Sequence, residues 1–292
     1  MKGSEFVRTY KDKGYLAWEA AAVELARQGG VIAWPMVNLS LTSTSKDGSL
    51  HTATLPVASD YLAVGEPDDY LRLPLRPSVA QTIANLSGML LPTPKIVYEV
   101  WRQAKTQLTP LTMDNRGAKL EDFLAHEKRI EAEITRLPSS ASSDLGLTTG
   151  QKKDVVVSNI FKPGYVVIYG WFWPKEMGPA DHPGHAQPIQ PRSNVHFESH
   201  FDYSHGIRFI SPVMTVDGEE RQTESVLRDP ELSKLLSDEG PVRTVRYPAS
   251  NDPAPYRPAS KEEYRVLNDP YPVPSTSSLA DIGLGVLASR SR

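Results

Sequence analysis

The sequence predicts an α+β protein, with an N-terminal hairpin and helices packed with a mainly antiparallel β-sheet. Three observations carry that expectation. Asp47-Gly48 separates two β-prone runs, three stretches between 76 and 137 repeat apolar residues at helical spacing, and after a polar break at 137–143 the pattern becomes β-like.

Met1-Lys-Gly-Ser-Glu-Phe6 reads as a cloning junction, because two adjacent common cloning sites encode Gly-Ser-Glu-Phe; on that reading a native leader has been removed. Residues 7–240 are expected to form one α+β domain. The Ala-rich stretch 15–27, stopped by Gly29-Gly30, predicts a helix, and 31–34 a short strand. Residues 37–44 and 49–57 flank Lys46-Asp47-Gly48 as hairpin arms, with His51 expected as an exposed strand residue. Pro77 opens a helix marked by Val79, Ile83, Leu86 and Leu90. Thr93 caps a second helix with Pro94 at its first position. A third carries Leu120, Phe123, Leu124, Ile130, Ile134 and Leu137, leaving His126, Glu127, Lys128 and Arg129 on a solvated face. Strands are expected at 155–160 and 165–173, joined through Lys162-Pro-Gly164, and at 195–203 and 207–216. The β-rich, site-bearing part spans 151–218, and a short helix follows around 223–236. The Pro-rich residues 241–292 are expected to be an extended tail.

Composition narrows the function. A chain of 292 residues with 39% apolar content can bury a substantial core. Lysines and arginines number 32 against 35 acidic residues, giving a charge of −3 with no dense basic block, so nucleic acid is not an expected partner. The longest apolar runs fall far short of the roughly 20 residues that span a bilayer. Cysteine is absent, which excludes disulfides, thiolate metal sites and a Cys nucleophile. That absence suits both the cytoplasm and bacterial secreted proteins.

Chemistry concentrates in the histidines. Five of the seven lie between His182 and His205, and the run Asn194-Val-His-Phe-Glu-Ser-His-Phe-Asp-Tyr-Ser-His205 holds three of them. As a strand it places His196, Glu198, His200 and Asp202 on one face. Such a face suits zinc or iron, with His196, His200 and Glu198 as ligands, although no HExxH occurs and the glycine and glutamate framework of cupin-type sites is missing. It suits equally a polar face lining a groove. Ser204-His-Gly206 echoes a nucleophile elbow with Asp202 in place of its first glycine, and His205 with Asp202 is a candidate acid/base pair. Gln151, Lys153 and Asp154 open a strand where a lysine can meet an anionic group, and Arg208 follows the elbow. Among Tyr165, Tyr169, Trp171, Phe172 and Trp173, core filling is expected for most, with Trp171 and Trp173 as candidate stacking surfaces for a ligand.

Gly150-Gln-Lys-Lys-Asp-Val-Val156, Tyr169-Gly-Trp171, Pro188-Ile-Gln-Pro191 and the segment from His196 through Asp202-Tyr-Ser-His-Gly-Ile-Arg208 resemble a group of uncharacterised, mostly secreted bacterial and fungal proteins. Asp60-Tyr-Leu-Ala-Val-Gly65 and Leu91-Pro-Thr-Pro-Lys95 fit the same group. The likeness covers about residues 55–240. Histidine usually stands in that group where this chain has Gln151, and His200 is particular to this chain. The resemblance implies an extracytoplasmic location and no particular activity.

The leading expectation is a secreted hydrolase acting on cell-wall or polysaccharide material, with His196, Asp202 and His205 as acid/base groups, Lys153 holding an anionic group and Ser204 as candidate nucleophile. Gln151, Asp154, Arg208, Trp171 and Trp173 are expected to contact a small-molecule or glycan substrate. The alternatives are a zinc or iron enzyme and a non-catalytic carbohydrate-binding protein.

Overall fold

The computed structural model describes residues 1–114, 117–138, 144–175 and 188–249. It bears out the α+β expectation, with six helices and mainly antiparallel sheets among the described residues. In chain order come α1 (Gly3–Tyr10), α2 (Tyr15–Arg27), β1 (Met36–Thr44), β2 (Leu50–Ala58), β3 (Ala63–Glu66), β4 (Asp69–Arg72), α3 (Pro77–Leu86), α4 (Pro94–Gln103) and β5 (Thr106–Gln107). They continue with α5 (Leu120–Arg136), β6 (Thr148–Thr149), β7 (Lys153–Val155), β8 (Ile168–Gly170), β9 (Gln190–Ser193), β10 (His205–Gly206), β11 (Val213–Val216), β12 (Glu219–Gln222) and α6 (Thr223–Arg228).

The predicted hairpin forms as β1 and β2, paired from Met36↔Ala58 to Thr44↔Leu50. It is extended to the order β1-β2-β11-β12, and the inward residues Leu39, Leu41, Leu55, Val57, Met214 and Val216 share a core with Val226, Leu235 and Leu236. A second sheet, β10-β7-β8-β9, carries the candidate site. Around it a larger core gathers Phe6, Trp18, Leu71, Ile83, Phe123, Val155, Ile168, Phe201 and Ile207. Thr93 caps α4 as expected, its hydroxyl accepting from the Ile96 amide.

Residues 1–6, read as a cloning junction, pack against the rest of the fold: Phe6 is wholly buried, Lys2 and Ser4 bond Asp68 and Asp69, and a Cβ on Gly3 would lie 2.6 Å from the Tyr70 backbone. Several expectations are corrected. His126 and Glu127 are buried, not solvated. Residues 195–203 form no strand; their one β contact is a bridge between Phe197 and Tyr165. Residues 31–34 contribute only the Val31–Val64 bridge. The expected helix at 223–236 divides at Asp229-Pro230 into α6 and a 3-10 turn, Leu232–Leu235, because proline disfavours a helical residue before it. The expected tail lies almost wholly outside the described residues, as do His182 and His185. Among the described residues no helix is long and apolar enough to cross a membrane.

Candidate functional site

The parallel pairing of β10 with β7 sets His205 against Lys153 and Gly206 against Asp154, which unites two motifs some 50 residues apart. Gly206 makes that approach possible by its lack of a side chain. A Cβ there would lie 2.6 Å from the Tyr61 ring and 2.7 Å from Lys152 Cβ.

Ahead of β10, residues 202–205 close a turn around the Asp202 carboxylate. Asp202 Oδ1 accepts from the Ser204 amide at 2.8 Å and from the Ser204 hydroxyl at 2.5 Å, and Oδ2 accepts from Lys153 Nζ at 3.3 Å. Burial would raise the Asp202 pKa, but the Lys153 cation and the Ser204 hydrogen bonds hold it well below the usual carboxylate range. The Asp202 amide donates to His205 Nδ1 at 2.8 Å. Neutral His205 therefore carries its proton on Nε2, which is buried without a partner among the described residues. Burial first, and then the Lys153 cation, push His205 down to about 3, so it stays neutral near pH 7.

Outside this turn, His196 and His200 stack with ring centroids 4.0 Å apart and planes at 20°; His200 stands edge-on to His205 at 6.2 Å. The His200 amide donates to the Phe197 carbonyl, a tight turn that brings the two imidazoles together without a strand. His200 is exposed and His196 half-buried. The His200 pKa is lowered, chiefly by partial burial and then by His196.

The same turn removes Glu198 from the pair. Its amide bonds the Gly164 carbonyl, and its buried carboxyl faces Ser78 and Arg76. The expected ligand set His196, His200 and Glu198 is thus dispersed. Among the described residues no group of three or more His, Asp or Glu is placed to hold a metal.

Behind the site lies a buried polar layer. Lys152 Nζ donates to the Tyr203 carbonyl at 2.5 Å and lies 3.2 Å from His126 Nδ1, while His126 Nε2 bonds the Leu111 carbonyl at 3.0 Å. Burial lowers Lys152 to about 8, and burial with the Lys152 charge lowers His126 to about 2. Asp154 accepts from Tyr61 Oη at 2.8 Å, and burial raises its carboxyl to about 7 against the pull of Arg208. Arg208 donates to the Ala58 and Thr148 carbonyls, each at 2.7 Å, and its guanidinium lies over the Tyr61 ring. Gln151 bonds Asp60, which also holds Arg72; Arg72 in turn bonds Glu127.

The expected roles are therefore sorted by access. Gln151, Asp154 and Arg208 do not reach the surface as substrate contacts, because their polar atoms point into this layer. Ser204 is buried with its hydroxyl directed at Asp202, unlike the exposed hydroxyl of an elbow. Trp171, at φ 61°, breaks the alternation of its strand and is buried, whereas Trp173 is 41% exposed. Asp60, Tyr61, Arg72, His126 and Glu127 were not expected in this layer, whereas Lys152 belongs to the Gly150–Val156 motif already singled out in the sequence. The one sequence signal for Asp60 and Tyr61 is the Asp60–Gly65 motif.

At the other edge of the second sheet, Tyr98 and Tyr169 line a cleft of about 380 Å³ with Pro94, Lys95, Arg192, Ser237, Asp238 and Glu239. Lys95 pairs with Asp238, and Arg192 with Glu239. No protein-family model, curated protein or solved structure matches the chain.

Proposed function

We propose that the chain is a secreted hydrolase whose reactive groups are His196, His200, Asp202 and Lys153. The observation that carries this reading is that two stacked imidazoles lie beside the turn in which a carboxylate holds an ammonium at 3.3 Å: His200 stands edge-on, 6.2 Å from His205, whose Nδ1 accepts from the Asp202 amide. Hydrolysis requires a base that draws a proton from water and a positive group that meets the developing oxyanion. His200, exposed and with a lowered pKa, is unprotonated at neutral pH and takes the proton. His196 beside it opposes the charging of the His200 ring. Lys153, which is buried but keeps 10% of its side chain exposed while paired with Asp202, meets the oxyanion.

In this reading His205 exchanges its expected role as base for a positioning one. Its Nδ1 lone pair is occupied by the Asp202 amide, so it locks the turn that presents Asp202 to Lys153. The Ser204 hydroxyl serves the same carboxylate. An extracytoplasmic location is supported by the resemblance to mostly secreted proteins and is compatible with the absence of cysteine.

The test is turnover by the full chain across a panel of cell-wall polysaccharides, soluble glycans and their esters. Hydrolysis of at least one class is expected, with kcat falling about 10²-fold or more in His200→Gln, in line with loss of a general base. Hydrolysis that persists at full kcat in that variant would overturn the assignment.

One observation favours a second reading, carbohydrate binding without turnover. The cleft of Tyr98 and Tyr169 offers aromatic rings that suit the apolar face of a sugar. Its cations and anions are paired with one another, which favours a neutral polar ligand over an ion. Glycan binding that is lost in Tyr169→Ala, with no turnover on any substrate, would support this reading over the first.

A further inference from the structure

A second constellation lies at the far end of the first sheet, away from the histidine-rich segment. Asp217 Oδ2 is 2.6 Å from His51 Nδ1, and His51 Nε2 is 2.8 Å from Ser45 Oγ. The fold assembles all three: Ser45 begins the turn between β1 and β2, His51 lies at the start of β2, and Asp217 occupies the turn between β11 and β12. The pairing of β11 with β2 clamps the carboxylate in place. The Thr52 amide donates to Asp217 Oδ1 at 2.9 Å, and the Asp217 amide donates to the Thr52 carbonyl at 2.8 Å. Asp217 sits at φ 52° and Gly218 at φ 86°, the two positive angles of the two-residue turn that joins β11 to β12, so the turn fixes the carboxylate's position.

The bonding order has a chemical consequence. An ionised Asp217 at Nδ1 fixes the tautomer that carries its proton there, leaving the Nε2 lone pair directed at the Ser45 hydroxyl. The carboxyl is held below its ordinary range by His51 and the Thr52 amide, so it is ionised at neutral pH. Side-chain exposures of 22% for His51 and 44% for Asp217 leave the series within reach of a reagent.

We propose that Ser45 is a nucleophile activated by His51 and Asp217, a site of acyl transfer from activated esters. Ser45 Oγ attacks the acyl carbon as its proton passes to His51 Nε2, and Asp217 stabilises the imidazolium. The bond to the leaving alkoxide then breaks, the alkoxide takes the proton from His51, and the acyl group remains on Ser45. Water repeats the sequence to release the acid. The nearby amides are engaged, Ser45 N with the Ser49 carbonyl, Lys46 N with Glu231, Gly48 N with the Ser45 carbonyl and Ser49 N with Asp47. The turn therefore gives little help to an oxyanion, which confines the step to activated donors.

The full chain treated with an alkyl phosphonyl fluoride, which serine attacks with loss of fluoride, reports on this directly by peptide mass mapping. We expect one adduct at Ser45, formed about 10²-fold faster than at the neighbouring Ser49. The rate should fall to the Ser49 level in His51→Gln and be unchanged in His200→Gln. The last comparison separates this site from the hydrolase proposed above. Modification of Ser45 no faster than Ser49 in the unsubstituted protein would overturn the proposal, whatever the variant's folding. So would an undiminished rate in a His51→Gln chain with native circular dichroism.

Discussion

His126 supplies a quantitative test of the buried layer behind the site. Its ring is almost fully enclosed, bonded to the Leu111 carbonyl and facing the Lys152 ammonium, and its pKa is lowered from 6.5 to about 2. The unfolded chain binds a proton there as pH falls through 6.5, whereas the native state binds none until about pH 2. Stability from this residue is thus complete above pH 6.5 and lost on acidification, at about 1.36 kcal/mol per pH unit. Between pH 7 and pH 5 the loss comes to about 2 kcal/mol, because only the interval below the unfolded midpoint contributes fully. His126→Gln can still offer an N–H to Leu111 and an oxygen to Lys152, but it cannot titrate. Urea unfolding of both chains at the two pH values isolates the term, since His205 and Asp154 titrate alike in both and cancel. The unsubstituted chain should lose about 2 kcal/mol more than the variant on acidification. Equal losses would refute the claim that His126 is held neutral by burial beside Lys152.

Three further outcomes follow from the packing and charge. Phe6→Ala should cost about 3–5 kcal/mol in equilibrium unfolding, as for other buried aromatics; an unchanged midpoint would mean that residues 1–6 are not part of the folded core. Asp154 keeps its proton in the native state up to about pH 7 while the unfolded chain releases it near 3.8, so its contribution declines as pH rises through that interval. Asp154→Asn should accordingly gain stability relative to the unsubstituted chain between pH 5 and pH 8, and a constant difference measured by thermal unfolding across that range would contradict the shift. Gly206→Ala should destabilise by about 1–3 kcal/mol through overpacking against Tyr61 and Lys152, measured by the same method.

Local signals in the sequence were read well where one residue type decides the geometry. Asp47-Gly48 marked the hairpin, and Thr93-Pro94 marked a capped helix start. The strand expected at 195–203 failed because alternating polar and aromatic residues resemble strand periodicity even when the backbone turns at 197–200 to stack two imidazoles. Convergence of Lys153, Asp202, Ser204 and His205 was anticipated from residue type, but their roles depend on which atom accepts which hydrogen. The Asp202 amide at His205 Nδ1 has no signature in sequence. His126 and Glu127 stand three and four residues after Phe123 and thus on its helical face, a position obscured by their polarity. Their partners are distant in sequence, Lys152 from the bend before β7 and Arg72 from the end of β4. His51 was expected to be exposed because Asp217, which makes it part of a series with Ser45, is 166 residues away.

The most direct measurement is the pH–rate profile of the full chain on whichever panel substrate it hydrolyses, compared with that of His200→Gln. Burial and His196 hold the His200 pKa below its ordinary 6.5, so kcat/KM should climb along an acidic limb below that pH and level off toward neutrality. That limb should vanish in the variant together with most of the rate. A limb of the same midpoint and height in His200→Gln would contradict the account.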